Sequence, residues 1–106
     1  MSKKVIPKIT QFMDTCVICG KPAAWHHVLH GFGTRPKADE DGLILPLCPE
    51  HHQYSDVAVH VNHTVDVLCE IIGELAYERN LLADGKATGV ADARRQFSER
   101  YGKNYI

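Results

Sequence analysis

Apolar positions change their rhythm several times along the chain, and each rhythm predicts a different element. Residues 1–15 scatter lysines around Pro7 without a period and read as a basic, extended lead-in. Ala23-Ala24-Trp25-His26-His27-Val28-Leu29 predicts a short strand, and the apolar run Leu43-Ile44-Leu45-Pro46-Leu47 predicts a second. Between them, Gly31-Phe32-Gly33-Thr34-Arg35-Pro36-Lys37 predicts a Gly/Pro loop. Pro46 belongs near an edge or at the end of its strand, because proline donates nothing to a ladder. Pro49 suits a first helical turn, so a helix is expected to begin in Pro49-Glu50-His51-His52-Gln53-Tyr54.

Beyond Thr64, read as an N-cap, the residues Val65, Leu68, Ile71, Ile72, Leu75 and Ala76 recur at helical spacing and are expected to cover the module before them. A turn-rich 84–89 follows. A last helix then carries Val90, Ala93, Phe97 and Tyr101 on one face and ends at Gly102. The order strand, loop, strand, helix, helix, helix is that of an α+β protein. It reads as a single domain over 16–106, with its core in 16–60 and helical support in 61–106.

Composition narrows the classes. At 106 residues the chain buries a modest fraction of its surface, so a metal staple would matter. Its formal net charge of -1 gives no global attraction to nucleic acid. Phosphate binding would need local charge, from Lys3, Lys4 and Lys8 at one end or Arg94, Arg95, Arg100 and Lys103 at the other. No apolar run is long enough for a membrane span, and the first residues lack a signal peptide's apolar stretch, so a cytoplasmic location is expected.

Cysteine and histidine spacing carries the chemistry. Cys16-Val17-Ile18-Cys19 and Cys48-Pro49-Glu50-His51 are two pairs with zinc-ligand spacing, and Gly20 can take the positive φ of a knuckle turn. A zinc held by Cys16, Cys19, Cys48 and His51 has no open position for chemistry. Adjacent His51 and His52 would point about a quarter-turn apart on a helix, so His52 can serve a second centre. Likewise His26 and His27 would face opposite sides of a strand. Cys69 reads as a small buried apolar residue, Trp25 as core packing, and His30 and His63 as plain loop residues.

The segments Cys16-Val17-Ile18-Cys19, Trp25-His26-His27-Val28 and 41–52, ending Leu47-Cys48-Pro49-Glu50-His51-His52, resemble the zinc-knuckle subset of the HNH endonucleases, the ββα-metal or His-Me finger group. With Gly102-Lys103-Asn104-Tyr105, the chain also resembles small phage-encoded HNH-like proteins. The resemblance implies a zinc-stapled ββα-metal core with added C-terminal helices, cleaving DNA in phage recombination, repair or packaging inside a bacterial host. It implies His26 and His52 as ligands of a catalytic Mg2+, Mn2+, Ni2+ or Zn2+, and His27 as the general base. Asp41 falls at the family's middle Asn position, where an ionised carboxylate cannot donate a hydrogen bond as an amide would. A third ligand is expected from Asp56, provided the helix runs that far, or from His60. Arg35 and Lys37, in the loop after the histidine pair, are placed to meet phosphate. The alternative is a noncatalytic, zinc-stabilised protein that binds nucleic acid or acts as an adaptor, and a third reading is a structural zinc protein that docks a partner through 65–76.

Overall fold

The computed structural model describes residues 5–31 and 33–106. Strand β1 (Ala24–His27) is followed by α1 (Thr34–Asp41), β2 (Ile44–Leu47), a one-turn π-helical segment (Glu50–Tyr54), α2 (His63–Ala83) and α3 (Val90–Tyr101). The basic positions Lys3 and Lys4 lie outside the described residues. The two strands pair antiparallel with Trp25 opposite Pro46 and His26 opposite Leu45. Each strand is therefore an edge, where Pro46 is tolerated. Its carbonyl accepts from the Val17 N–H at 3.0 Å, which ties the Cys16–Cys19 turn to β2.

Four expectations need correction. The Gly/Pro segment is not a loop throughout: α1 starts at Thr34, and Pro36 fits within its first turn, where the amide it lacks has no intrahelical partner. Arg35 and Lys37 therefore ride on a helix. Trp25 is not core: half of it is exposed. In α2, the N-cap is Asn62, whose Oδ1 accepts from the Val65 N–H at 3.2 Å, and the buried residues are Cys69, Gly73, Glu74, Ala76 and Glu78. Leu68, Ile72 and Leu75 face outward instead of covering the metal module. The inward side carries small Cys69, Gly73 and Ala76 together with two carboxylates, so the stripe of large apolar residues that the periodicity singles out is not the one the core takes; small residues let α2 approach closely.

The core joins Val28, Leu29, Leu43, Leu45, Leu47, Val59, Cys69, Ala76 and Phe97, with Tyr77 and Tyr101 packed against Phe97. Two buried carboxylates of α2 hold the C-terminal elements. Arg94 donates to both oxygens of Glu78 at 3.1 and 3.2 Å, and Glu74 accepts from Asn104 Nδ2 at 3.0 Å and from the Tyr105 N–H at 2.5 Å. Burial raises the Glu74 carboxyl above its ordinary value, despite these donors. The Gly102-Lys103-Asn104-Tyr105 end is thus a clasp on α2.

Gly42 closes α1 at φ 67, and a Cβ there would sit 2.0 Å from the Ile6 carbonyl oxygen. Gly85 has a similar φ of 70 but open space around it. Gly42→Ala is expected to cost at least about 2 kcal/mol, against about 1 kcal/mol for Gly85→Ala. Thermal melts of the two variants compare them directly; equal losses would remove the close approach as the cause.

Candidate metal centres

Two clusters of ligand-type side chains meet at the Glu50–Tyr54 turn. In the first, Cys16, Cys19, Cys48 and His51 bring one ligand atom each to within 4.8 Å of one another, a cluster that could hold a metal ion. The Cys16–Cys19 turn is closed by Gly20 N–H to Cys16 O at 2.9 Å, with Gly20 at φ 80, and by Cys16 N–H to Lys21 O at 2.7 Å. Cys19 Sγ lies 3.6 Å from Cys48 Sγ, and His51 Nδ1 lies 3.6 Å from Cys16 Sγ and 3.2 Å from Cys48 Sγ. Tetrahedral zinc with ordinary bond lengths sets S···S at about 3.8 Å and S···N at about 3.6 Å, so the donor set fits. Burial opposes ionisation of Cys16, but hydrogen bonds from the backbone of Cys48, Cys19 and Ile18 outweigh it and hold the thiol at about 6. A thiolate is the form that binds metal.

The second cluster joins His26, His52 and His60, again with ligand atoms within 4.8 Å. His52 Nε2 and His60 Nε2 are 2.9 Å apart, and the His26 ring lies 5.0 Å from that of His52 and 5.3 Å from that of His60. His26 is buried, and its Nε2 has no hydrogen-bond partner among the described residues. An orphaned buried nitrogen is costly unless something binds it. Burial, then the neighbouring His52, His60 and His30, push the His26 pKa down to about 3; burial and His60 also lower that of His52. Neutral imidazoles keep the lone pairs a metal needs.

The backbone explains why His60 and not Asp56 completes the group. Val59 N–H donates to His51 O at 2.9 Å and His60 N–H to His52 O at 3.1 Å, so 59–60 folds back beside 51–52. The turn ends at Tyr54, and Ser55 is extended at φ -140 and ψ 168. Asp56 is therefore not one helical turn beyond His52; it is exposed and joins none of the ligand groups found among the described residues. Adjacent His51 and His52 do serve two clusters.

Asp41 also departs from its expected place. Its carboxylate accepts from Arg100 Nε at 2.6 Å and from the Tyr101 hydroxyl, locking α1 to α3 away from the histidines. The partner of His27 is Asp39, whose Oδ1 is 2.6 Å from His27 Nε2. Asp39 was invisible while 31–37 read as a loop, because only the turn of α1 presents it to β1. His30, expected to be a plain loop residue, contacts Asp66 Oδ1 through Nε2 at 2.8 Å, and these two with His26 form a further ligand group. No spacing rule links positions 36 residues apart.

A cavity of about 400 Å³ opens over the histidines, lined by His26, His27, His30, His52, His60 and Arg35, with Trp25 at its edge. Arg35 meets the cavity; Lys37 instead donates to the Arg100 carbonyl at 3.0 Å. The C-terminal arginines are engaged: Arg94 with Glu78, Arg95 with Asp92 and Glu99, Arg100 with Glu40 and Asp41. None of the helices among the described residues is long and apolar enough to cross a membrane. Comparison with protein-family models, curated proteins and solved structures gives no match.

The His26 shift has a pH consequence for metal-free protein. The unfolded chain binds a proton below its ordinary 6.5, while the folded chain resists until about 3, so stability is full above 6.5 and falls as pH drops through that window. Chelated protein is expected to lose about 2 kcal/mol between pH 6.5 and 5. Chemical denaturation at both pH values measures it. His26→Gln should flatten the dependence; an unchanged slope would assign the loss to other groups.

Proposed function

We propose that this protein is a metal-dependent endonuclease of the HNH, ββα-metal kind that hydrolyses DNA phosphodiester bonds, with zinc stapling Cys16, Cys19, Cys48 and His51. The observation that carries the reading is the buried His26 ring, with its Nε2 unpartnered, packed against the rings of His52 and His60 next to the His27–Asp39 pair. His26, His52 and His60 would hold the catalytic divalent ion, Mg2+, Mn2+, Ni2+ or Zn2+. Bound there, the ion supplies positive charge for a phosphate oxygen and for the departing 3′ oxygen.

The protein's own groups account for the rest. Asp39 accepts a hydrogen bond from the His27 Nε2–H, which would fix the tautomer and leave Nδ1 as the basic atom to take a proton from the attacking water. The carboxylate then stabilises the imidazolium that results. Arg35 gives the cavity a fixed positive charge for the phosphate. In this reading the carboxylate at the family's middle position has moved two residues, from Asp41 to Asp39. Phage recombination, repair or packaging in a bacterial cytoplasm is the setting the reading carries with it.

A second reading is a noncatalytic nucleic-acid-binding or adaptor protein, favoured by the commitment of Asp41 to Arg100 and Tyr101. Supercoiled plasmid incubated with Mg2+, Mn2+ or Ni2+ decides between them. Nicking that EDTA and His52→Ala both abolish is expected. DNA retardation without nicking would support the second reading.

A further inference from the structure

We propose that Trp25 stacks on an unpaired nucleobase beside the phosphate to be cut, which makes single-stranded DNA the substrate class of this site. The inference rests on the nuclease reading for the identity of the ligand as DNA. It starts from where β1 puts the chain's one tryptophan. Trp25 lies opposite Pro46 in the ladder and is 50% exposed, while Val28 and Leu29, just beyond the same strand, are buried. A single exposed apolar side chain identifies nothing by itself. The neighbours do: Trp25 lines the cavity of about 400 Å³ together with His26, His27 and Arg35.

Charge says which form of DNA fits. A protein that grips a duplex neutralises several phosphates at once. This chain has a formal net charge of -1, the arginines of α3 are paired with carboxylates, and Lys37 and Arg79 donate to backbone carbonyls. Among the residues lining the cavity, Arg35 is the one fixed positive charge. One arginine and one bound ion suffice for a single phosphate group, so affinity for the rest of the strand has to come from another source. Aromatic stacking supplies it, because every base presents a π-face.

A base meets an indole face to face only when it has left its own stack. A duplex nucleotide reaches such a position at the cost of the pairing and stacking it gives up, whereas a single strand is spared that cost. The alternation of β1 puts Trp25 and His27 on the same side of the strand. A base stacked on Trp25 therefore sets its adjoining phosphate near the imidazole that takes the water proton. Negative supercoiling favours strand opening, so a supercoiled plasmid also offers unpaired bases.

Because Trp25 is the sole tryptophan, its fluorescence reports this contact alone. The full chain, loaded with zinc and without added Mg2+, Mn2+ or Ni2+, is titrated with an oligothymidylate of about 12 nucleotides and with a blunt duplex of equal length. The single strand should quench the emission and bind at least about 10-fold tighter than the duplex. Trp25→Ala should weaken single-strand binding about 10- to 100-fold, read by anisotropy of a labelled oligonucleotide, while Trp25→Phe keeps most of it. Unchanged circular dichroism of the two variants separates lost stacking from lost folding. Duplex binding as tight as single-strand binding overturns the proposal. So does single-strand binding without quenching, or binding that Trp25→Ala leaves unchanged. None of these readouts involves cutting: a protein that nicks plasmid without a Trp25 response keeps the nuclease reading and loses this one, and quenching without nicking in any ion leaves a single-strand binder that is no nuclease.

Discussion

Cys48→Ser is expected to abolish metal retention at the thiolate cluster and to destabilise residues 16–60 strongly, without unfolding them outright. Cys48 is buried, sits 3.6 Å from Cys19 Sγ and 3.2 Å from His51 Nδ1, and begins the turn that presents both His51 and His52. Structural zinc in small fingers contributes about 10–16 kcal/mol of apparent binding energy, as much as or more than the roughly 5–15 kcal/mol that stabilises a whole domain. Metal analysis and thermal melting together read the effect. Cys69→Ala is the control: its thiol is buried and pushed up to about 11, mainly by burial, and belongs to neither cluster. It should keep the wild-type metal content with a melting temperature only a few degrees lower. A Cys48→Ser protein with full metal content and native melting would refute the staple.

His27→Ala is expected to cut DNA nicking by about 10²- to 10⁴-fold, the range for loss of a positioned base. Binding of the divalent ion should persist, because His26, His52 and His60 remain. Asp39→Asn keeps a hydrogen-bonding side chain near His27 but removes the charge that stabilises the imidazolium, so a smaller loss of roughly 10-fold is expected. His52→Ala should lose ion binding and nicking together. Calorimetric titration with Ni2+ beside plasmid nicking separates these cases. If His27→Ala nicks at the wild-type rate, the base lies elsewhere.

What the sequence revealed follows from the range over which each signal acts. The thiolate cluster was legible because metal ligands occupy fixed short spacings, and the two strands because apolar runs bounded by Gly and Pro are local. The assignment of His51 and His52 to separate clusters followed from one helical step. The partners of those groups were not legible. Asp39 depends on α1, which Pro36 and two glycines disguised as a loop; His60 depends on 59–60 folding back along 51–52; Asp66 depends on where α2 docks. The buried face of α2 was misread for a related reason. Residue size and the hydrogen-bond partners that later elements bring to Glu74 and Glu78 choose the inward side, and neither is a local signal.

The paired amides of Val59 and His60 on the carbonyls of His51 and His52 make one stretch of backbone common to both clusters. Neither cluster can shift in isolation: a change that loosens the thiolate cluster also displaces the imidazoles over the cavity. If ions occupy both clusters, a chelator titration should accordingly remove them in a linked manner, departure from one weakening retention at the other.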